Sequence, residues 1–367
     1  MRLVSLDRLL PGSMLGVDVH VPGADDGPPL LRRGVALHDN YIGALRTKGV
    51  HSVWIDDDLS EGMIPGRILS PDTERTAVNA VNSALSDATE ALSNGRGLSA
   101  EAVGDLETVA GLIAAEVHTT PNVGLHLADM LGADEYLLQH VVDVTALGTV
   151  LAGRLFRRNG WIDHLGQRRI DDIDPRLAKI ALGLLLHDIG KLAIPPAILN
   201  KPGKLDEAEW NEIRRHPQTG ADMLGDNISP VIRAVVKQHH ERWDGLGYPD
   251  GKAGDEIHQF ARIAAVADVY DAVTADRPYR KAMAPHQGVK VIQEGEGTHF
   301  DPEVVEIFKK VVLPFPPGVE VELADGRMAL VVEADHHNPF EPTVRVQHPN
   351  GYVEEIARAP LAVALAA

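Results

Sequence analysis

The sequence contains no cysteine, has few aromatic residues and lacks any long apolar run. Without cysteine, the 367-residue chain forms neither disulfides nor thiolate metal sites. A metal would have to be held by imidazole and carboxylate groups, which suits iron, manganese, zinc or nickel. The longest apolar runs, such as 180–186, are far shorter than the ~20 residues that cross a membrane, so we expect no membrane span.

Positive charge is also scarce in this chain. The 35 Lys and Arg residues are outnumbered by 53 Asp and Glu residues, which leaves a formal net charge of −18. Because a nucleic-acid polymer requires a basic surface, none is expected as a partner. A few local cations can still bind a small anionic ligand. The first residues show no apolar signal core followed by a small-residue cleavage site, so we expect a cytoplasmic protein.

Three kinds of sequence divide the chain. Residues 1–66 combine short apolar stretches with many turn residues, which predicts a small α+β N-terminal module. Helical spacing follows: we interpret residues 67–118 as a helical linker or the start of a helical domain, and 119–314 as the main helical domain. Alternating apolar and polar residues over 315–367 predict a small β C-terminal module. The expected fold is mainly α, a helical bundle between these two modules.

Within the helical region, apolar periodicity defines the expected elements. The predicted helices are 73–92, 99–118, 121–131, 134–158, 175–190, 206–215, 218–225, 229–241, 259–275 and 301–310. The segment 157–175 is polar and of mixed charge, and we interpret it as a loop inserted between two core helices.

Groups that bind hard or borderline metals are concentrated between residues 187 and 268. Each lies on or beside a predicted helix, so several can converge on one cavity: His187, Asp188, His216, His239, His240 and Asp268. The imidazole of His187 suits a terminal ligand, and the carboxylate of Asp188 can bridge two ions. On a helix these neighbours diverge by about 100°, while Lys191 lies one turn further on the same face.

Two of the candidates are embedded in apolar helices. Asp268 interrupts a run of small apolar residues, where a buried carboxylate requires a metal, a cation or hydrogen-bond donors. Asp271, one turn later, is placed to orient a ligand histidine. His140 lies on an apolar stripe, where a single histidine is more often a satisfied core residue. The other candidates favour it as an additional ligand from a separate helix.

Each motif also has a structural alternative when it is taken alone. An HD pair such as 187–188 is in isolation most often structural. His216, which precedes Pro217, would serve as a cation at a helix C-terminus. The histidines at 239–240 would lie on the surface, since burying two adjacent imidazoles without a metal is costly.

Taken together and in this order, the motifs HDIGK, HP, HHERWDGLGYP and VADVYDAVTADRPYR resemble the HD-GYP domain, a branch of the HD phosphohydrolase superfamily. The GYP triplet is residues 247–249, and the resemblance covers roughly 119–310. The N-terminal module is similar to the small domain that precedes HD-GYP in some bacterial proteins, although that match is vaguer. The resemblance makes 119–314 an expected HD-GYP catalytic domain.

The resemblance implies a phosphodiesterase that hydrolyses cyclic di-GMP to linear pGpG, with GMP left open as a further product. It implies a cluster of divalent metal ions held by His140, His187, Asp188, His216, His239, His240 and Asp268. Members with three metals are similar in having a glutamate one turn before the first histidine. That position is Tyr136 here, and Glu135 beside it points about 100° away. We therefore expect two ions and no third, with iron or manganese favoured over nickel or zinc.

The resemblance also implies substrate contacts. With Asp188 bridging the ions, Lys191 would neutralise the phosphate or assist the leaving group, so these two residues are the predicted catalytic pair. Tyr248 would contact the substrate, with stacking on guanine as the alternative. Arg277, Arg280 and Lys281 would hold the second phosphate, although such a basic run is otherwise a solvated helix end.

Two other functions remain open at this point. One is a non-catalytic cyclic-dinucleotide sensor or adaptor that contacts signalling proteins through the GYP loop or the terminal modules. Missing metal ligands would favour it, and none is missing. The other is an HD phosphohydrolase of a different nucleotide, such as a dNTP or (p)ppGpp, which the GYP and RPYR segments disfavour.

Overall fold

The computed structural model describes residues 1–362 except 7, 20–28, 49, 51, 64–67, 120–132, 202, 226–227, 276–281 and 336. It is mainly helical, with a small sheet near each terminus, which confirms the predicted fold class. The domain boundaries near 66, 118 and 314 stay predictions. In the described part of the chain, no helix is both long and apolar enough to span a membrane.

The N-terminal sheet is antiparallel, in the order β1-β4-β2-β3. Its elements are β1 (Arg2–Ser5), β2 (Ser13–Leu15), β3 (Ala36–Leu37), α1 (Asp39–Thr47) and β4 (Ser52–Asp56). The helix packs its buried Leu45 against Leu37 and Ile55 of the sheet, which closes a small core of its own. The α+β character expected for this region is therefore present.

The helical region contains α2 (Pro71–Ser93), α3 (Ala100–Thr119), α4 (Ala133–Asn159), α5 (Ile173–Leu185), α6 (Pro196–Leu199), α7 (Glu207–Ile213), α8 (His216–Met223), α9 (Pro230–Gln238), α10 (Gln259–Thr274), α11 (Pro285–Glu294) and α12 (Pro302–Val311). The predicted helix 121–131 lies outside the described residues. Asp206 and Glu209 form the capping box that begins α7. The sequence prediction omitted α11, whose internal Gly288 lowers helix propensity. That glycine is needed because a Cβ there would lie 2.4 Å from Thr274 Cγ2 of α10.

One hydrophobic core joins all the long helices. Val81 of α2 and Ile113 of α3 belong to the same buried cluster as Leu147 of α4, Leu184 of α5 and Val266 of α10. Helices α2 and α3 are therefore packed into the main bundle. This shared core fixes the relative positions of α4 and α10, which carry His140 and Asp268, and of α5, which precedes His187 and Asp188.

The expected loop at 157–175 is a short hairpin. Strands β5 (Trp161–Ile162) and β6 (Arg168–Arg169) pair in antiparallel fashion between the ends of α4 and α5. The backbone N–H of Ile162 donates to Gln259 Oε1 at the start of α10, at 3.0 Å. The hairpin is thereby tied to the helix that carries Asp268.

The C-terminal sheet is an antiparallel meander in the order β10-β9-β8-β7. Its strands are β7 (Glu320–Glu322), β8 (Met328–Glu333), β9 (Thr343–Gln347) and β10 (Val353–Ile356). It contacts the N-terminal region through an ion pair between Arg2 and Glu320. Arg345 Nη1 also donates to the backbone oxygen of Glu61, at 2.6 Å. The two small sheets therefore lie against each other, although they are far apart in sequence.

Candidate metal centre

All seven predicted metal ligands lie in one buried region of the helical bundle. They form two adjacent groups, and within each group one potential ligand atom per residue lies within 4.8 Å of the others. The first group is Asp188, His216, His239 and His240, and the second is His140, His187 and Asp268. Ligands that are 128 positions apart in the chain, such as His140 and Asp268, meet because α4 packs directly on α10.

The structure corrects one local prediction and excludes one of the structural alternatives. Helix α5 ends at Leu185, so His187 and Asp188 lie in the turn that leads into a 3₁₀ helix at Ile189–Ala193, and not in the helix itself. The chain turns here because Gly190 packs against the α8 backbone, where a Cβ would lie 2.0 Å from the oxygen of His216. His216 itself is the first residue of α8, so it is not a cation at a helix C-terminus.

Three of the imidazoles are oriented by the backbone. The Nδ1 atoms of His187, His216 and His239 lie 2.7, 2.7 and 2.8 Å from the carbonyl oxygens of residues 184, 213 and 236. Because a carbonyl only accepts, this network assigns the proton to Nδ1 and leaves Nε2 as a bare lone pair. Each Nε2 faces the centre of the cluster, which is how a metal-ligating histidine is usually held.

These lone pairs converge on Asp188. His187 Nε2 lies 3.4 Å from Asp188 Oδ2, and His216 Nε2 lies 3.4 Å from Oδ1. The Nε2 atoms of His216 and His239 are 3.2 Å apart, so two acceptors face each other. Among the described residues, His187 Nε2 and Asp188 Oδ1 have no hydrogen-bond partner. Facing acceptors and unpartnered buried atoms fit a bound cation, which would satisfy all of them.

Asp268 and His140 link the two groups. His140 Nε2 lies 3.3 Å from Asp268 Oδ1 and 3.5 Å from Asp188 Oδ2, and His240 Nδ1 lies 3.8 Å from Asp268 Oδ2. On its other side, His140 Nδ1 lies 2.5 Å from Asp271 Oδ2. The Asp271 carboxylate is therefore in contact with a predicted ligand histidine, as the sequence analysis expected, and its orienting role stays a prediction.

The electrostatics of the cluster attract positive charge. Burial alone would raise the pKa of Asp188, but the nearby Lys191 ammonium holds it well below its usual range. Burial likewise opposes ionisation of Asp268, yet a hydrogen bond from His140 lowers its pKa. For His240, burial lowers the pKa to about 3, so the ring is neutral at physiological pH. Ionised carboxylates beside a neutral imidazole form a cation-binding set.

The predicted substrate-binding residues divide into two sets. Lys191 Nζ lies 2.5 Å from Asp188 Oδ2 at the edge of the cluster. The Tyr248 ring is 4.8 Å from the His240 ring, measured between centroids, and burial raises the pKa of its hydroxyl. Arg277, Arg280 and Lys281 lie outside the described residues, as do the side chains of Glu135 and Tyr136.

Residues beside the cluster that the sequence analysis did not single out organise the GYP loop. Buried Glu241 accepts hydrogen bonds from the backbone N–H groups of Asp250, at 2.8 Å, and Lys252, at 3.1 Å. The loop is folded so tightly that a Cβ at Gly247 would lie 2.3 Å from Arg242 N. The position of Glu241, directly after the two histidines, was the available signal. Its partners could not be found without the folded loop.

Comparisons with known proteins agree with this geometry. A family described as "HD domain" matches residues 150–304. A cyclic di-GMP phosphodiesterase from Pseudomonas aeruginosa is 36% identical over 342 residues, which cover 87% of this chain and 79% of that protein. A 3'3'-cGAMP-specific phosphodiesterase from Vibrio cholerae is 44% identical over 36% of this chain and 29% of its own length.

A third relative is the cyclic di-GMP phosphodiesterase response regulator RpfG from Xanthomonas campestris. It is 43% identical over 35% of this chain and 34% of its own length. The matches to the Vibrio and Xanthomonas proteins are therefore partial, whereas the Pseudomonas relative matches most of the chain. With the HD pair, the clustered histidines and the GYP loop all in place, the chain belongs to the HD-GYP family of HD-domain phosphohydrolases.

Proposed function

We propose that the protein is a metal-dependent phosphodiesterase that hydrolyses cyclic di-GMP to pGpG; the product analysis described below also shows whether GMP follows. The observation that carries this proposal is the convergence of bare imidazole Nε2 atoms and ionised carboxylates on one buried centre. The extended match to a cyclic di-GMP phosphodiesterase supports the substrate.

The residues present fit two divalent ions. The group around His216 and the group around His140 each offer imidazole and carboxylate ligands, and Asp188 lies between them within 3.5 Å of His140 and 3.4 Å of His216. Such nitrogen and oxygen ligands suit iron or manganese, with nickel or zinc as alternatives. Two groups of ligands support two ions, and a third is not part of the proposal.

Divalent ions held there would lower the pKa of a water molecule and stabilise negative charge on the phosphoryl oxygens. The chain itself supplies the rest of the site. Asp188 is kept ionised by Lys191, so it can hold cations at neutral pH. The Lys191 side chain is 23% exposed at the edge of the cluster, so its ammonium group would place positive charge where a phosphate enters. Tyr248, packed on His240, is placed to position the substrate.

A second candidate substrate is 3'3'-cGAMP, because a relative with 44% identity over 36% of this chain is specific for that dinucleotide. Both substrates present the same phosphodiester to the centre, so the metal ligands do not distinguish between them. The discrimination must come from residues that contact the bases.

The test is turnover by purified protein loaded anaerobically with iron or manganese, with products separated by chromatography. Cyclic di-GMP, 3'3'-cGAMP and (p)ppGpp are compared, and the His187→Ala/Asp188→Ala variant is run in parallel. We expect pGpG from cyclic di-GMP and no product from the double variant. Binding of cyclic di-GMP without turnover under either metal loading would instead favour a sensor.

A matched control is the His348→Ala/Glu354→Ala variant. His348 Nε2 lies 2.8 Å from Glu354 Oε2 in the C-terminal sheet, so this change also removes a histidine–carboxylate pair, but outside the cluster. It is expected to turn over cyclic di-GMP as the unmodified protein does. Equal loss in both double variants would assign the effect to folding and contradict the proposed centre.

Contacts with signalling proteins through the GYP loop or the terminal modules belong to the proposal as well. The loop carries Leu246 with 77% of its surface exposed, beside the centre. For such a contact, we expect Leu246→Asp to abolish co-purification of the partner protein. The turnover of cyclic di-GMP should be unaltered.

A further inference from the structure

The two neighbouring arginines that follow α7 have different partners. Arg215 forms an ion pair with Glu212, at 3.2 Å. Arg214 forms no ion pair among the described residues, and its guanidinium instead lies 5.9 Å from the centroid of the Trp210 ring and 5.8 Å from that of Tyr248. An exposed arginine held over two aromatic rings in a protein of net charge −18 retains its donors for another molecule.

One of these two rings, that of Tyr248, lies beside the metal centre. The Tyr248 ring lies 4.8 Å from the ring of His240, a predicted ligand, and the Arg214 guanidinium lies 5.8 Å from the Tyr248 ring centroid. Trp210, at the outer end, is 47% exposed. A substrate whose phosphate sits at the centre would therefore extend its next group past Tyr248 towards Arg214 and Trp210.

The chemistry of this surface suits a purine base. An exposed indole offers a stacking face, which accepts any nucleobase. A guanidinium offers a planar fork of donors, which matches the O6 and N7 acceptors of guanine, whereas adenine has an amino group in place of O6. A phosphate, by contrast, would gain nothing from the indole.

We propose that Arg214 and Trp210 form a base-recognition subsite beside Tyr248, in which the indole stacks on a nucleobase and the guanidinium selects guanine. This inference rests on the proposed hydrolysis of a cyclic dinucleotide. It adds two residues that determine specificity and that lie outside the metal ligands and the RPYR segment.

The experiment measures kcat/KM on three substrates that share the hydrolysed bond type: cyclic di-GMP, cyclic di-AMP and the base-free bis(p-nitrophenyl) phosphate. For Arg214→Ala, we expect the preference for cyclic di-GMP over cyclic di-AMP to fall about ten-fold, because one bidentate base contact is lost. For Trp210→Ala, we expect both dinucleotides to lose about ten-fold relative to the base-free diester. Arg215→Ala is the matched control and should keep all three ratios.

The outcomes separate this inference from the proposed function. If the unmodified protein hydrolyses cyclic di-GMP but Arg214→Ala lowers both dinucleotides equally, Arg214 binds phosphate and the guanine assignment is wrong. If Trp210→Ala leaves the ratio of dinucleotide to base-free diester unchanged, the stacking surface is wrong. If the unmodified protein hydrolyses only the base-free diester, the proposed function and the subsite both fail.

Discussion

Helix α10 carries two buried charged residues, Arg262 and Asp268, that differ in their partners. Near its start, Arg262 Nη1 donates to Asp301 Oδ2 at 2.8 Å and to Asp255 Oδ1 at 3.0 Å. In the second half of the helix, Asp268 lies close to His140 and His240. Among the described residues of the same cluster, the buried acceptors His187 Nε2 and Asp188 Oδ1 have no donor. The first charge is neutralised by the protein, whereas the second belongs to a set of acceptors that face one another.

This difference separates a structural ion pair from a binding site on one helix. A buried ion pair seldom adds net stability, but removing one partner leaves an uncompensated charge. A set of acceptors without donors costs stability until a cation fills it, so its value lies in binding. Changes at Arg262 should therefore affect folding, and changes at Asp268 should affect metal binding and turnover.

The largest expected effect is on catalysis, from Asp268→Asn. Replacing the carboxylate by an amide removes a charged ligand while keeping its shape, so we expect turnover of cyclic di-GMP to fall at least ~10³-fold. The free energy of unfolding of the metal-free protein should change less than in Arg262→Met, because the amide keeps the shape of the carboxylate and still accepts the hydrogen bond from His140. Steady-state kinetics and urea denaturation of metal-free protein measure the two effects. Full activity together with a reduced free energy of unfolding would show that Asp268 is structural, and it would contradict the comparison.

The next effect is on stability, from Arg262→Met. Asp301, which is 4% exposed, would lose its cation, and we expect the free energy of unfolding to fall by about 3–5 kcal/mol. Urea denaturation checks this value, and metal content per folded chain should be unchanged. Burial raises the pKa of Asp301 even beside Arg262, so neutralising it in Arg262→Met/Asp301→Asn should recover part of the loss. No recovery would show that the charge of Asp301 is not the cause.

A smaller effect is expected from Asp271→Asn. Asp271 does not belong to either ligand group, but it fixes His140 through Nδ1 at 2.5 Å. The amide keeps an acceptor and removes the charge, so metal affinity should weaken about 10–100-fold. Competition with a metal chelator followed by metal analysis measures it. Unchanged affinity would mean that packing alone orients His140.

The smallest effect is a pH dependence at His258, which caps α10. Its Nδ1 accepts from the N–H of Phe260 at 3.1 Å, and burial, with a contribution from Arg262, lowers its pKa to about 4. Because the unfolded chain would bind a proton at about pH 6.5, the folded state loses stability as pH falls from about 6.5 to 4.

His258→Asn provides the comparison, since asparagine also caps helices and does not titrate. The difference in unfolding free energy between the two proteins should shrink or reverse as the pH falls below about 6.5. A difference that is constant with pH would show that His258 does not contribute through its proton.

The sequence predicted most of what depends on local pattern. The helical and terminal sheet regions and the contact of Asp271 with a histidine followed from periodicity and spacing. The end of α5 before His187 did not, because it depends on the approach of Gly190 to a helix about thirty residues later in the chain. Arg214 falls within the predicted helix 206–215 and had no assigned role there, since its contact with Tyr248 exists only in the folded loop.

The most direct test of the central claim is the metal content of the folded protein. Metal per chain is measured by mass spectrometry after anaerobic loading with manganese and removal of free ions, for the unmodified protein, Asp268→Asn and Arg262→Met. The account predicts two ions per chain in the unmodified protein and in folded Arg262→Met, and a clear loss in Asp268→Asn. Protein that turns over cyclic di-GMP without bound metal, or equal metal in all three, would contradict it.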